Sequence, residues 1–176
     1  MDIPVVGAPL AGGASTPALA AAVSEAGGFG FIAAGYKTIA ETRQAIEQVR
    51  ERTRRPFGVN VFFPSRVSAD EEALAEYALR LAGEAARYGV ALGEARWSDD
   101  AWEGKLELVE RERPAVVSFT FGCPDHAIVT RLQRNGIDVW CTVTSQAEAK
   151  TATAAGVDAL VVQGGEARAP RLVRRH

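Results

Sequence analysis

The chain alternates between short apolar runs and longer segments whose apolar residues recur at helical spacing. Several short runs are continuously apolar, which is typical of parallel strands covered on both faces. The longer segments carry one apolar face, as Ile39, Ile46 and Val49 illustrate, and predict helices that pack against a sheet. The predicted strands are 3–8, 29–33, 57–61, 115–119, 137–143 and 157–163.

Start signals precede several of the predicted helices. Thr16 stands before Pro17, a favourable first helical residue. A Ser or Thr followed three residues later by Glu forms a capping-box pattern. This pattern is present in Thr38 with Glu41, Ser68 with Glu71, and Ser145 with Glu148. The tryptophans Trp97, Trp102 and Trp140 are expected to pack in or under the resulting helical layer.

The alternation of strands and helices predicts an α/β fold with a parallel sheet. Intervals between successive strands suit right-handed βαβ crossovers, and the longest, between 61 and 115, has room for two helices. Two architectures fit this pattern. One is an open doubly wound sheet, and the other is part of a (β/α)8 barrel, with about six parallel strands and surrounding helices.

Composition narrows the class of protein. The 176 residues, 47% of them apolar, suffice for one domain with a buried core, and a formal charge of -2 offers no positive excess for nucleic acid or a membrane surface. No apolar run approaches the roughly 18 residues of a membrane span, and no secretion signal precedes the first strand. We therefore expect a cytoplasmic protein, in which Cys123 and Cys141 are small buried hydrophobes.

Ligands of parallel α/β sheets bind at the carboxyl ends of the strands. The predicted ends are rich in glycine, hydroxyls and amides, including Asn60 and Gln163, and they hold no lysine, paired carboxylates or metal-ligand cluster. This disfavours carboxylate-driven hydrolysis, a Schiff base and a metal site. Uncharged groups of this kind suit a flat, heteroatom-rich ring, for which a flavin is the natural candidate.

Ordered motifs along almost the whole chain add a specific likeness. They are APLAGG at 8–13 with STP at 15–17, AAAVSEAGGFG at 20–30, PFGVNVF at 56–62, VSFTFG at 117–122 and VVQGGEA at 161–167. Together they closely resemble the nitronate monooxygenases, formerly called 2-nitropropane dioxygenases. The resemblance implies an FMN-binding (β/α)8 barrel that oxidises alkyl nitronates, or similar small molecules, with molecular oxygen.

The resemblance also implies cofactor contacts. Main chain at the first strand end would lie against the flavin ring, two amide side chains would hydrogen-bond it, and two glycines would bring backbone close. The residues concerned are Ala8, Pro9, Leu10, Asn60, Gln163, Gly164 and Gly165. Leu10 replaces the family's usual Met with similar volume, whereas Thr120 stands where the family has its proposed catalytic His. A threonine hydroxyl is too weak a base to replace it, so the catalytic residue is left unassigned.

The likeness ends after Ala167, where the family continues Gly-Gly-His-Arg-Gly and this chain runs from Arg168 to His176. We therefore expect an incomplete flavin-binding barrel over 1–167 and a non-family tail over 168–176, from truncation or a frameshift. Barrel phosphate sites commonly follow strands seven and eight, so weak FMN retention is predicted. Open sheet edges would favour self-association. Two alternatives are an FMN-dependent enoyl reductase-like enzyme using reduced nicotinamide and a catalytically silent fragment.

Overall fold

The computed structural model describes residues 2–64 and 70–165, which fall in two compact units. One unit holds five strands and five helices, and the other, described over 70–99, holds the helix α3. The elements in chain order are α1 (Pro17–Glu25), β1 (Gly30–Ala33), α2 (Ile39–Arg52), β2 (Phe57–Phe62), α3 (Glu71–Tyr88), α4 (Trp102–Glu112), β3 (Val116–Thr120), α5 (His126–Arg134), β4 (Asp138–Val143), α6 (Gln146–Ala155) and β5 (Ala159–Val162). The long interval between β2 and β3 does contain two helices, as predicted. None of the described helices is long and apolar enough to cross a bilayer.

The strand order decides between the two architectures. All five strands are parallel, and their order across the sheet, β1-β2-β3-β4-β5, is their order along the chain. A doubly wound sheet reverses direction at a switch point, whereas a (β/α)8 barrel adds each strand beside its predecessor. The sheet is therefore an arc of a (β/α)8 barrel, which confirms the predicted fold class.

The predicted strand 3–8 is reduced to one parallel bridge between Val6 and Phe29. Two hydrogen bonds hold it, from Gly7 N to Phe29 O at 2.9 Å and from Phe29 N to Val5 O at 2.9 Å. Pro4 has no amide hydrogen, and the amide of Ile3 turns aside to Gly27 O. The segment still lies next to β1, in the position a first barrel strand takes.

Successive strand residues point to opposite faces, and the two faces differ in character. The helix-covered face is aliphatic, with Ile32, Val59 and Val117 in one core with helix residues such as Leu106. The other face carries an aromatic cluster in which the rings of Phe29, Phe31 and Trp140 have centroids 5.3–5.7 Å apart. The barrel interior below the strand ends is therefore filled by rings.

The tryptophan prediction holds for one of three residues. Trp102 joins the core between helices and sheet, where its ring lies 5.6 Å from that of Phe119. Trp140 packs on the opposite, inner face of the sheet, and Trp97 is exposed. The prediction placed these side chains in one layer because a large indole ring indicates burial. Its size does not indicate which face of the sheet it packs against.

Most of the predicted helix caps form. Thr16 Oγ1 accepts from Leu19 N, and Thr38 with Glu41 makes both halves of a capping box. Ser145 caps α6, but the Glu148 carboxylate returns to Thr144 N, at 2.6 Å, one residue before the cap. The N-cap of α3 is Asp70, and Ser68 lies outside the described residues.

A glycine allows α1 to press against β1. A Cβ placed on Gly30 would lie 1.9 Å from Ala20 O, so only glycine permits this approach. The buried hydroxyl of Ser24 accepts from Gly30 N at 3.1 Å and donates to Pro56 O at 3.0 Å. Packing at the start of the sheet thus accounts for Ser24 and Gly30 of the motif AAAVSEAGGFG.

Candidate active site

A layer of uncharged polar side chains lies on the inner face, at the carboxyl side of the aromatic cluster. The buried Asn60 donates from Nδ2 to Ser118 O at 3.2 Å, to Ser118 Oγ at 2.9 Å and to Thr120 Oγ1 at 2.9 Å. Thr120 Oγ1 lies 3.3 Å from Thr142 Oγ1 on the next strand. One hydrogen-bonded row therefore crosses β2, β3 and β4.

A pocket of about 340 Å³ opens where this row ends. The end of β3, the end of β4, the first turns of α6 and the residue after β5 form its walls. The lining residues are Thr120, Phe121, Gly122, Cys123, Cys141, Thr142, Val143, Thr144, Ala147, Glu148, Thr151 and Gln163. Thr120 and Thr142 belong to both the polar row and the pocket, so they connect the two.

The predicted cofactor residues divide between this pocket and its surroundings. Gln163 lines the pocket, and Asn60 reaches it indirectly because its amide hydrogens are held by Ser118 and Thr120. The segment Ala8, Pro9 and Leu10 lies next to β1, outside the pocket lining, and Gly164 and Gly165 are exposed after Gln163. The structure brings Thr120 and Gln163 together.

Ser15 shapes the first strand end. Its buried hydroxyl accepts from Leu10 N at 2.7 Å and donates to Ala8 O at 3.1 Å. This closes the segment into a turn and leaves the Leu10 side chain exposed. No role was predicted for Ser15, although a serine after a glycine pair at a strand end is a typical turn-stabilising residue.

Three aromatic rings stand in a row across the ends of β1, β2 and β3. The Tyr36 and Phe62 ring centroids are 5.2 Å apart, and those of Phe62 and Phe121 are 4.8 Å apart, both edge-on. Tyr36 and Phe121 have positive φ, 64° and 75°, a conformation that non-glycine residues rarely adopt. Such strain concentrates at functional sites. Phe121 belongs to the motif at 117–122, but no role was predicted for it or for Tyr36.

The ionisable groups of the pocket are two thiols and one carboxylate among the described residues. The Glu148 carboxylate accepts from Thr144 N at 2.6 Å and from Thr144 Oγ1 at 2.8 Å. His126, the one histidine in the described ranges, begins α5, is exposed and lies outside the pocket lining. No described imidazole is therefore placed to act as a base in the pocket.

The two thiols interact with each other. The neighbouring Cys141 thiol lowers the pKa of Cys123, against an opposing effect of burial. The same contact, burial and the charge of Glu148 raise the pKa of Cys141. Cys141 is buried, as predicted, but Cys123 is only half-buried and faces the pocket.

The donor set fits a neutral ring rather than a metal ion. Hydroxyls of Thr120 and Thr142, the amide of Gln163 and apolar walls line the pocket. Across residues 2–64 and 70–165, His, Cys, Asp and Glu side chains form no group of three that could hold a metal. Uncharged donors and acceptors of this kind can pair with the carbonyl and ring nitrogen atoms of a flat, heteroatom-rich ligand.

Known proteins are similar to this chain in sequence and fold. The nitronate monooxygenase family profile matches residues 2–168. Nitronate monooxygenases of Paraburkholderia phytofirmans and Pseudomonas aeruginosa are 39% and 42% identical over 95% and 93% of this chain, which correspond to 46% and 48% of those proteins. The nitroalkane oxidase structure from Streptomyces ansochromogenes has a TM-score of 0.88 at 48% identity, over 93% of this chain and 47% of that one. The chain spans about half the length of the curated relatives it matches.

Proposed function

This chain belongs to the nitronate monooxygenase family, and from that membership we propose that it forms part of an FMN-dependent oxidoreductase that oxidises alkyl nitronates with molecular oxygen. The observation that carries the proposal is the uncharged row from Asn60 through Thr120 to Thr142, which ends in the pocket beside Gln163. A charged or metal-binding row at this place would point to different chemistry.

Gln163, Thr120 and Thr142 are the side chains we assign to the polar edge of the flavin ring. Asn60 acts one step behind them, because its amide fixes the Thr120 hydroxyl at 2.9 Å. Main chain at Ala8 to Leu10 and at Gly164 and Gly165 is assigned to the ring's surroundings, since both segments follow strand ends at the same edge of the sheet. When bound, FMN supplies the redox chemistry.

Thr120 defines which form of the substrate this site can use. Its hydroxyl can donate a hydrogen bond to a negatively charged nitronate oxygen, but it cannot accept a proton from a neutral nitroalkane at neutral pH. A nitronate is already deprotonated, so its oxidation needs no base. The site is therefore suited to the anion and not to its conjugate acid.

Titration with FMN tests the cofactor assignment. The purified chain is titrated with FMN and flavin fluorescence is followed, alongside the variants Thr120→Val and Gln163→Leu. Thr153→Val is the matched control, because Thr153 is an exposed residue of α6 outside the pocket lining. We expect weaker FMN binding by both pocket variants and unchanged binding by the control. Equal binding by all four proteins would place the flavin elsewhere.

Anaerobic mixing separates the candidate activities. The FMN-loaded chain is mixed with an alkyl nitronate or with NADH, and bleaching of the flavin absorbance is recorded. Reduction by the nitronate alone supports the proposal. Reduction by NADH alone supports an enoyl reductase-like enzyme, and reduction by neither supports a catalytically silent fragment.

A further inference from the structure

Cys123 and Cys141 are far apart in sequence and meet in the pocket wall. Cys141 lies in β4 opposite Phe119 of β3, and the chain turns back after β3 at Phe121, whose φ is 75°. Cys141 Sγ donates to Gly122 O at 3.4 Å, and Cys123 Sγ donates to Pro124 O at 3.3 Å. Both thiols are thus attached to the same short turn, 122–124, and both line the pocket.

The two thiols are not equivalent. Cys123 is half-buried and accessible from the pocket, whereas Cys141 is 1% exposed and packs with Val143 and Ala152. The neighbouring Cys123 thiol, burial and the charge of Glu148 raise the pKa of Cys141 and disfavour its thiolate, whereas Cys123 is open to the pocket. The thiolate is the reactive form of cysteine. A reagent that enters the pocket therefore reaches Cys123 first, and the buried Cys141 lies next to it.

We propose that Cys123 and Cys141 form a modification site, a dithiol that hydroperoxides entering the pocket oxidise to an intramolecular disulfide. The accessible Cys123 is the attacking thiol, and the buried Cys141 is the resolving thiol. This assignment is independent of the flavin, since it depends only on the two sulfurs and the route through the pocket.

The chemistry proceeds in two balanced steps. Cys123 thiolate attacks a peroxide oxygen, the O–O bond breaks, an S–O bond forms, and the departing hydroxide or alkoxide takes a proton. Cys141 sulfur then attacks the sulfenic sulfur of Cys123, the S–S bond forms, the S–O bond breaks, and the Cys141 proton leaves with hydroxide as water. Two thiols lose two electrons, and hydrogen peroxide is reduced to two waters.

The disulfide would alter the pocket that contains it. Its formation consumes both thiol hydrogens, so the bonds from Cys141 to Gly122 O and from Cys123 to Pro124 O are lost. It also ties the turn after β3 covalently to β4. The wall formed by Phe121, Gly122 and Cys123 would therefore shift against Thr142 when the site is oxidised.

Peroxide treatment followed by mass spectrometry tests the proposal. The folded, reduced chain is exposed to hydrogen peroxide without flavin, quenched with a thiol-alkylating reagent, and digested. We expect a peptide linked through Cys123 and Cys141, with both thiols lost at one rate. In the Cys141→Ser variant, a sulfenic acid on Cys123 should accumulate and be trapped by dimedone. In the Cys123→Ser variant, Cys141 should oxidise about ten times more slowly than in the wild type.

Other outcomes would overturn it. These are equal oxidation of Cys141 with and without Cys123, disulfide-linked dimers in place of the internal link, or equal dimedone labelling of Cys123 in the wild type and in Cys141→Ser. Far-UV circular dichroism checks that each variant is folded, and Cys141→Ala replaces Cys141→Ser if the serine unfolds the chain. Because no step involves FMN or a nitronate, the result is separate from that of the flavin titration.

Discussion

The Nζ of Lys105 lies 2.7 Å from Oδ2 of Asp100, and the lysine side chain is completely buried. The same ammonium donates to Ala34 O at 2.9 Å, and Asp100 Oδ1 accepts from Tyr36 N at 3.0 Å. The pair therefore joins α4 to the chain that leaves β1 and helps hold Tyr36 at its positive φ. The sequence carries no signal for this buried pair, because a lone lysine in an amphipathic helix is usually exposed.

Replacing this lysine should destabilise the protein strongly. Lys105→Met keeps most of the side-chain volume but leaves Asp100 without its buried cation, and breaking one partner of a buried pair costs about 3 kcal/mol. Urea unfolding should show a lower midpoint for Lys105→Met and an unchanged midpoint for Lys150→Met, which alters an exposed lysine of α6. Coincident midpoints for the two variants would refute a structural role for the pair.

Two glycine-to-alanine substitutions should act in opposite directions. Gly30→Ala places a methyl group 1.9 Å from Ala20 O, so α1 must move from β1, and overpacking of this kind costs about 1–3 kcal/mol or more. Gly83→Ala meets no atom within 4 Å in α3, where alanine is the better helix former by about 1 kcal/mol. Thermal unfolding followed by circular dichroism compares them, and a loss of stability in Gly83→Ala equal to that in Gly30→Ala would contradict the packing explanation.

The carboxylate half of the α2 capping box should contribute its full stability only while Glu41 is ionised. Hydrogen bonds from the backbone and side chain of Thr38 lower the pKa of Glu41 below its ordinary 4.5. A carboxyl pKa that is lower in the folded state gives stabilisation that is fully present above the ordinary pKa of the unfolded chain and is lost as pH falls through the folded pKa. Glu41→Ala should therefore be less stable than the wild type at neutral pH, with the difference shrinking in acid.

Glu47→Ala is the control for this pH dependence, since it removes an exposed carboxylate from the same helix. Urea midpoints are measured for the three proteins at neutral pH and below the folded pKa of Glu41. A difference between Glu41→Ala and the wild type that stays constant with pH would show that the carboxylate charge is not involved.

Thr120 should restrict turnover to preformed nitronates. With added FMN, oxygen consumption is expected with an alkyl nitronate and not with the corresponding neutral nitroalkane, because the described pocket offers no imidazole base. Thr120→His should raise the nitroalkane rate relative to the nitronate rate. Equal rates with both substrate forms in the unaltered chain would require a base other than residue 120.

Much of the fold was predictable because its signals are local. Continuous apolar runs located the five strands to within one or two residues at most ends, and Thr38 with Glu41 identified the start of α2. The segment 3–8 was predicted as a full strand because its apolar content matches the others. Pro4 and the turn to Gly27 limit it to one bridge. The contact with Gly27 joins residues far apart in sequence, so the local apolar pattern does not reveal it.

The candidate site was predictable in residue type and not in arrangement. Asn60 and Gln163 were identified from their positions at strand ends, but the contacts of Asn60 with Ser118 and Thr120 depend on β2 and β3 lying in register. The thiol pair depends likewise on β3 and β4 being neighbours. Strand pairing joins segments that are distant in sequence, so no single segment carries the information that predicts it.

The sequence by itself determined the parallel α/β class, several helix starts, the uncharged strand ends and the family. Only the tertiary structure decided that the strands follow one another in barrel order, that Lys105 is buried against Asp100, and that Cys123 packs against the cluster of Cys141. The physical reason is that hydrophobic periodicity and capping act within a few residues, whereas register, burial of a charge and thiol contact arise when distant segments pack together.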